Sequence, residues 1–196
     1  PRGPEITVTG RDITLAGAEI DASADTGGGL IRIGGDFSGA GDLLRALTVD
    51  VDSASSLRAD ALRTGDGGRI AVWSDNETRF DGSLSARGGE SGGDGGFIEV
   101  SSSRVLSYGG LADTRAGYGS WGTLLLDPQD ITINPGAGGE TTLEANLELG
   151  NVTLDTFNAV VTDPGDIFIN ADLNWLAATI LSLRAENSIF LNGAIS

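Results

Sequence analysis

The chain has 196 residues, a length that suits one domain or one large all-β unit. With Gly at 31 residues, aromatics at 6% and hydrophobics at 39%, it reads as turns and strands around an aliphatic core, since ordinary glycine usage is about 7%. The 28 acids against 12 bases leave a formal charge of −16, which repels nucleic acid and other polyanions, and the lack of Lys, His, Cys and Met removes Schiff-base, imidazole, thiolate, disulfide and zinc-thiolate chemistry.

The opening Pro1-Arg2-Gly3-Pro4 has no signal-peptide pattern, and no apolar run approaches the ~18 residues of a spanning helix. Threonines at Thr7, Thr9 and Thr14 do not recur at one strand position later, so they form no surface ladder. A cassette then begins at Ile20-Asp21-Ala22, crosses a Gly/Asp-rich stretch and ends in an alternating strand at Ile33. It returns from Leu57-Arg58-Ala59 to Val72, from Leu84-Ser85-Ala86 to Val100, and from Leu111-Ala112-Asp113 to Leu126. Starts at 57, 84 and 111 are evenly spaced, and the longer step from 20 to 57 holds an insertion.

Each cassette closes on branched aliphatics at period two: Ile31 and Ile33, Ile70 and Val72, Ile98 and Val100, Leu124 and Leu126. These point inward, and Arg32, Ala71, Glu99 and Leu125 between them point outward. Before the strands lie glycine corners, with Gly28, Gly67, Gly68, Gly95 and Gly96 expected to serve positive-φ turns. A short unit of strands and turns cannot cover its own apolar side, so copies stack, which predicts a parallel β-solenoid; a β-sandwich is the competing fold.

Beyond Asp127-Pro128 the glycine pairs thin out, dividing one continuous segment, 1–196, into subregions 1–128 and 129–196 with no linker. Thr141 followed by Glu144 fits a capping box, Leu143 and Leu147 share a face, and Gly150 is a stop, so one short helix is expected over 141–149. Strands resume at 151–154, 166–169, 180–183 and 188–191, and the last residues still have strand-and-turn texture, as in a segment of a longer polypeptide.

The order of Gly29-Leu30-Ile31-Arg32-Ile33-Gly34-Gly35-Asp36-Phe37, Gly65-Asp66-Gly67-Gly68-Arg69-Ile70-Ala71-Val72-Trp73-Ser74-Asp75, Gly92-Gly93-Asp94-Gly95-Gly96-Phe97-Ile98-Glu99-Val100-Ser101 and Gly122-Thr123-Leu124-Leu125-Leu126-Asp127-Pro128 resembles the filamentous-haemagglutinin-like exoproteins of bacterial two-partner secretion. The resemblance spans about residues 20–196 and matches a stretch beyond the family's amino-terminal secretion domain. It implies a right-handed parallel β-helix, secretion to the bacterial exterior through an outer-membrane β-barrel partner, and a role in adhesion, aggregation or biofilm. The matched motifs are structural, so no catalytic residue comes with them.

Four site classes follow from the residues themselves. Asp36, Asp66 and Asp94 sit in Gly-rich turns as calcium-binding aspartates do, although turn aspartates more often bond their own backbone and the acid of Gly92-Gly93-Asp94-Gly95-Gly96 comes too early for a β-roll repeat. Trp73, Trp121 and Tyr118 are candidates for a sugar-stacking platform, with core packing as the commoner role of such rings. An enzyme would need paired acids on neighbouring turns; the outward column has one, Glu99, and Asp60 and Asp113 lie in others. Asn76-Glu77-Thr78 and Asn151-Val152-Thr153 match the N-glycosylation acceptor pattern.

The function expected is a non-enzymatic extracellular adhesin segment without a required cofactor, touching glycans or a cell-surface receptor and no nucleic acid. Alternatives are a carbohydrate-binding module for exopolysaccharide, with calcium as a candidate ion, and a β-helical polysaccharide lyase or hydrolase.

Overall fold

A computed structural model describes residues 3–157 and 165–196, in which the protein is mostly β, with parallel sheets and one short α-helix. The chain visits its sheets in rotation. The first pass lays down β1 (Glu5–Val8), β2 (Asp12–Leu15) and β3 (Glu19–Asp21), and the second β4 (Leu30–Ile33), β5 (Ala46–Val51) and β6 (Ser56–Arg58). In the third, β7 (Arg69–Phe80) runs through two positions before β8 (Ser83–Ser85). Then come β9 (Phe97–Ser102), β10 (Val105–Tyr108) and β11 (Leu111–Asp113), followed by β12 (Thr123–Asp127), β13 (Ile131–Ile133) and α1 (Glu140–Leu147). The last passes hold β14 (Asn151–Asp155), β15 (Ile167–Ile169), β16 (Leu181–Arg184) and β17 (Ile189–Leu191).

Every pairing between these strands is parallel, each to the strand one pass earlier or later. One row runs β1-β4-β7-β9-β12-β14-β16; β2, β5 and β10 join the same sheet through β7; β3-β6-β8-β11 and β13-β15-β17 are separate sheets. The hydrogen-bonded row crosses residue 128 without a break, because β12 pairs both β9 and β14.

Register follows the aliphatic alternation. Ile31, Ile70, Ile98 and Leu124 stack on one another, as do Ile33, Val72, Val100 and Leu126, and all are buried. Full burial of such a side chain is worth about 1.5–3 kcal/mol, which fixes the register because a one-residue slip would turn it outward. That slip separates the fourth cassette from its expected frame. Ala112, not Leu111, pairs with Leu84; Ala112 is buried and Leu111 lies 46% exposed.

The corner glycines are needed for a different reason from the one expected. None of Gly28, Gly67, Gly68, Gly95 and Gly96 has positive φ; that conformation falls on neighbours such as Gly27, Gly65 and Gly93. Instead the chain is pinched here. The N–H groups of Gly29, Gly68, Gly96 and Gly122 donate to the carbonyls of Ala22, Ala59, Ala86 and Thr114 on the same pass at 2.7–2.9 Å. A Cβ at Gly28 would lie 1.9 Å from Ala59 O, at Gly67 2.1 Å from Ala86 O, at Gly95 1.8 Å from Thr114 O, at Gly68 2.2 Å from Gly29 O and at Gly96 2.1 Å from Gly68 O. The atoms in the way are backbone, which has nowhere to go.

The helix replaces a strand. It starts at Glu140 with Gly139 as N-cap, so Thr141 sits within the first turn and forms no capping box; Thr142 Oγ1 and Glu140 Oε2 accept the Gly138 and Gly136 N–H groups instead. The helix ends at Leu147 with Glu148 as C-cap, short of Gly150, which packs against Thr114. Leu143 and Leu147 face the core as expected. Beside β11, Asn146 takes over the role of a rung: its Oδ1 accepts the Ala112 N–H at 2.8 Å and its Nδ2 donates to Gly110 O at 3.1 Å. On the other side Glu144 and Glu148 accept the Asn174 and Leu176 N–H groups at 2.7 and 2.6 Å. The edges that a missing strand would orphan are thus partly satisfied by side chains.

Candidate functional site

The insertion between β4 and β5 folds back over the sheet. Asp36 starts a short 3-10 turn, Phe37–Gly39, by accepting the Phe37 N–H at 2.9 Å, and it binds Arg32 Nη1 at 3.0 Å. Gly35 and Gly39 lie on the Trp73 indole so closely that a Cβ would meet the ring at 2.8 and 2.4 Å. Trp73 is 1% exposed. It follows inward Val72 and so has outward parity, yet the covering segment makes it a packing residue and removes it from any sugar platform.

The same cover corrects Glu99. It stacks in the column Arg32, Ala71, Glu99, Leu125 as expected, but is 1% exposed, and its Oε1 accepts the Ser38 N–H at 2.8 Å. Burial pushes its carboxyl above the usual range, against the pull of that hydrogen bond. Ser38 holds φ 55°, a left-handed conformation uncommon outside glycine. Beside it, the Arg69 guanidinium lies 3.9 Å from the Phe37 ring centroid and 5.5 Å from that of Phe97.

A groove floored by Gly28, Gly29, Gly67 and Gly68 borders this patch, walled by Arg32, Phe37 and Arg69, and a second lies along Gly95, Gly96, Trp121 and Gly122. Trp121 is half-buried, its Nε1 donating to Ala116 O at 3.2 Å, and Tyr118 in the same loop is 80% exposed. Of the three proposed platform rings, Tyr118 is exposed, Trp121 half-buried and Trp73 buried.

The aspartates proposed for calcium are divided. Asp66 Oδ1 accepts the Asp94 N–H at 2.9 Å and Asp94 Oδ1 the Ser120 N–H at 2.8 Å, each reaching one pass on. Asp36 belongs to the covering segment. Among the described residues no three His, Cys, Asp or Glu side chains converge as a metal group. The corner-aspartate device recurs late in the chain, where Asp130, Asp166 and Asp172 accept the Asp166, Ser188 and Ala194 N–H groups.

Asp60, considered for acid–base work, is engaged by Ser85 Oγ at 2.6 Å and the Arg87 N–H at 2.7 Å, and Asp113 by Arg115 at 2.7 Å. Asn151 uses its amide internally, donating to Trp121 O and Gly122 O and accepting the Ile180 N–H. Asn76 is exposed in mid-strand, while Thr78 of the same tripeptide is buried and donates to Ser101 O at 2.8 Å.

Two features went unread in the sequence. Asn134, Asn170 and Asn192 form an amide ladder at 3.1 and 2.8 Å, each placed just after a strand of the β13-β15-β17 sheet. Asp127 closes β12 as a buried acid, with a signal in the outward parity of Leu125 and Asp127 around inward Leu126. No helix among the described residues is long and apolar enough to cross a membrane. No family model matches the sequence, and no curated protein does.

Proposed function

We propose that the parallel sheets are the faces of one right-handed parallel β-helix, and that the chain is a non-enzymatic adhesin segment of a secreted bacterial exoprotein. The observation that carries this reading is the in-register row from β1 to β16, in which every pass presents the same positions to the next. Parallel crossovers are right-handed in about 98% of cases, which supplies the hand. Contacts between neighbouring passes let such a chain fold progressively on emerging from an outer-membrane β-barrel partner, and −16 of charge favours solubility. No cofactor is needed for this role.

Beads coated with the purified chain test the adhesive reading against bacteria and glycan-coated surfaces. Aggregation or capture that free chain competes away supports it. Release of product from a polysaccharide, abolished by Asp60→Asn, overturns it in favour of a lyase or hydrolase. A carbohydrate-binding module is the second reading, favoured by exposed Tyr118 beside half-buried Trp121. Loss of glycan capture in Tyr118→Ala with an unchanged melting temperature would select it.

A further inference from the structure

Asp127 ends β12 opposite Ser101 of β9, and β14 runs on past the Leu126–Leu154 pair to Asp155. It is 6% exposed, yet its Oδ1 makes no hydrogen bond. Ser101, which stands opposite, is fully buried and supplies no hydrogen bond to it. The charged groups acting on Asp127 are Asp155 from β14, Glu99 from β9 and Arg184 from β16. Arg184 is committed elsewhere: its Nη1 lies 3.3 Å from Asp155 Oδ2 and its guanidinium 4.7 Å from the Phe157 ring centroid. A buried carboxylate here would face two further acids without a cation of its own.

We propose that Asp127 carries a proton at neutral pH, so that the β9–β12–β14 seam is a pH-sensitive joint that tightens in mild acid and loosens in alkali. A proton fits the site because it needs no space, and it removes the unpaired buried charge that would otherwise stand there. Burial, and then the charges of Asp155 and Glu99, push the Asp127 carboxyl up to about 8, with Arg184 opposing. The folded state therefore binds the proton more tightly than the unfolded chain, whose aspartate titrates near 3.8. Stability contributed by this group is present below pH 3.8 and is lost progressively as pH rises to about 8. The inference is independent of the adhesive role.

Melting temperatures of the wild-type chain and Asp127→Asn, measured from pH 4 to pH 9, test it together with infrared spectra. Asp127→Asn should match wild type near pH 4 and exceed it by roughly 5 °C or more at pH 9. Wild type at pH 7 should show the carbonyl band of a protonated carboxylic acid that the variant lacks. Asp155→Asn should shift the wild-type loss of stability to lower pH, because it removes the like charge that acts most strongly on Asp127. A pH-independent difference, or no acid band at pH 7, overturns the proposal; so does stabilisation of wild type but not Asp127→Asn by millimolar calcium at pH 8, which would make the site a cation site. The infrared and Asp155→Asn arms hold if Asp127→Asn fails to fold.

Discussion

Replacing Gly95 by Ala adds one methyl group at the tightest point of the pinched corner. Its Cβ would stand 1.8 Å from Thr114 O and 2.4 Å from Gly122 N, two backbone atoms that are themselves joined by a 2.8 Å hydrogen bond. Relief requires the two stretches of chain to separate by more than an ångström, which breaks that bond and strains the Gly95 N–H bond to Ser120 O. A lost backbone bond with unsatisfied groups costs about 1–3 kcal/mol, and overpacking adds about 1–3 more. The expected destabilisation is therefore about 2–6 kcal/mol, or roughly 10 °C in a chain of this size. Gly117→Ala is the control: nothing lies within 4 Å of its Cβ and its φ is not positive, so it should be neutral or stabilise by about 0.4–1 kcal/mol. Denaturant unfolding of both variants reads the difference directly. Equal stabilities within about 0.5 kcal/mol would refute the close approach of the backbones.

The covering segment makes two further claims. Glu99→Ala should cost about 1–3 kcal/mol by orphaning the Ser38 N–H, and Trp73→Ala about 3–5 kcal/mol, with little change expected of either were the column solvent-facing. At the helix, Asn146→Ala should destabilise by about 2–4 kcal/mol, because it strips partners from the Ala112 N–H and from the Gly110 and Thr142 carbonyls; chemical denaturation of a chain with wild-type circular dichroism checks this. Asn146→Asp should rescue only part of the loss, since it restores the acceptor and not the donors.

The strands and their inward faces were legible because period-two alternation of branched aliphatics is a local pattern tied directly to burial, and Ile70, Val72, Ile98 and Val100 stack as that pattern requires. The outward side was less legible. Glu99 and Trp73 have outward parity, but a segment some sixty positions away from Glu99, around Ser38, covers them, and alternation carries no information about what lies over a face. Glycine-rich corners were found and their cause was not. Close approach depends on which carbonyl the fold brings opposite, so Gly67 and Gly95 look like turn glycines until Ala86 O and Thr114 O are in place. The helix was anticipated from its leucine spacing, whereas its substitution for a strand needed the position of Asn146 against Ala112. Asp127 illustrates the same limit, since its predicament arises from Asp155 and Glu99 on neighbouring passes.

The parallel stacking of passes is open to a cross-linking measurement, because the chain has no cysteine to interfere. Ser56 of β6 stands opposite Ser83 of β8, with Leu57 against Leu84 and Arg58 against Ser85. Neighbouring strands lie about 4.8 Å apart, within disulfide reach. The double substitution Ser56→Cys with Ser83→Cys should oxidise readily to an intramolecular disulfide, and Ser56→Cys with Ser85→Cys should remain reduced under the same conditions. Efficient closure of the second pair and failure of the first would be the signature of antiparallel strands centred on Leu57 and Leu84, and would contradict the fold on which the proposed function rests.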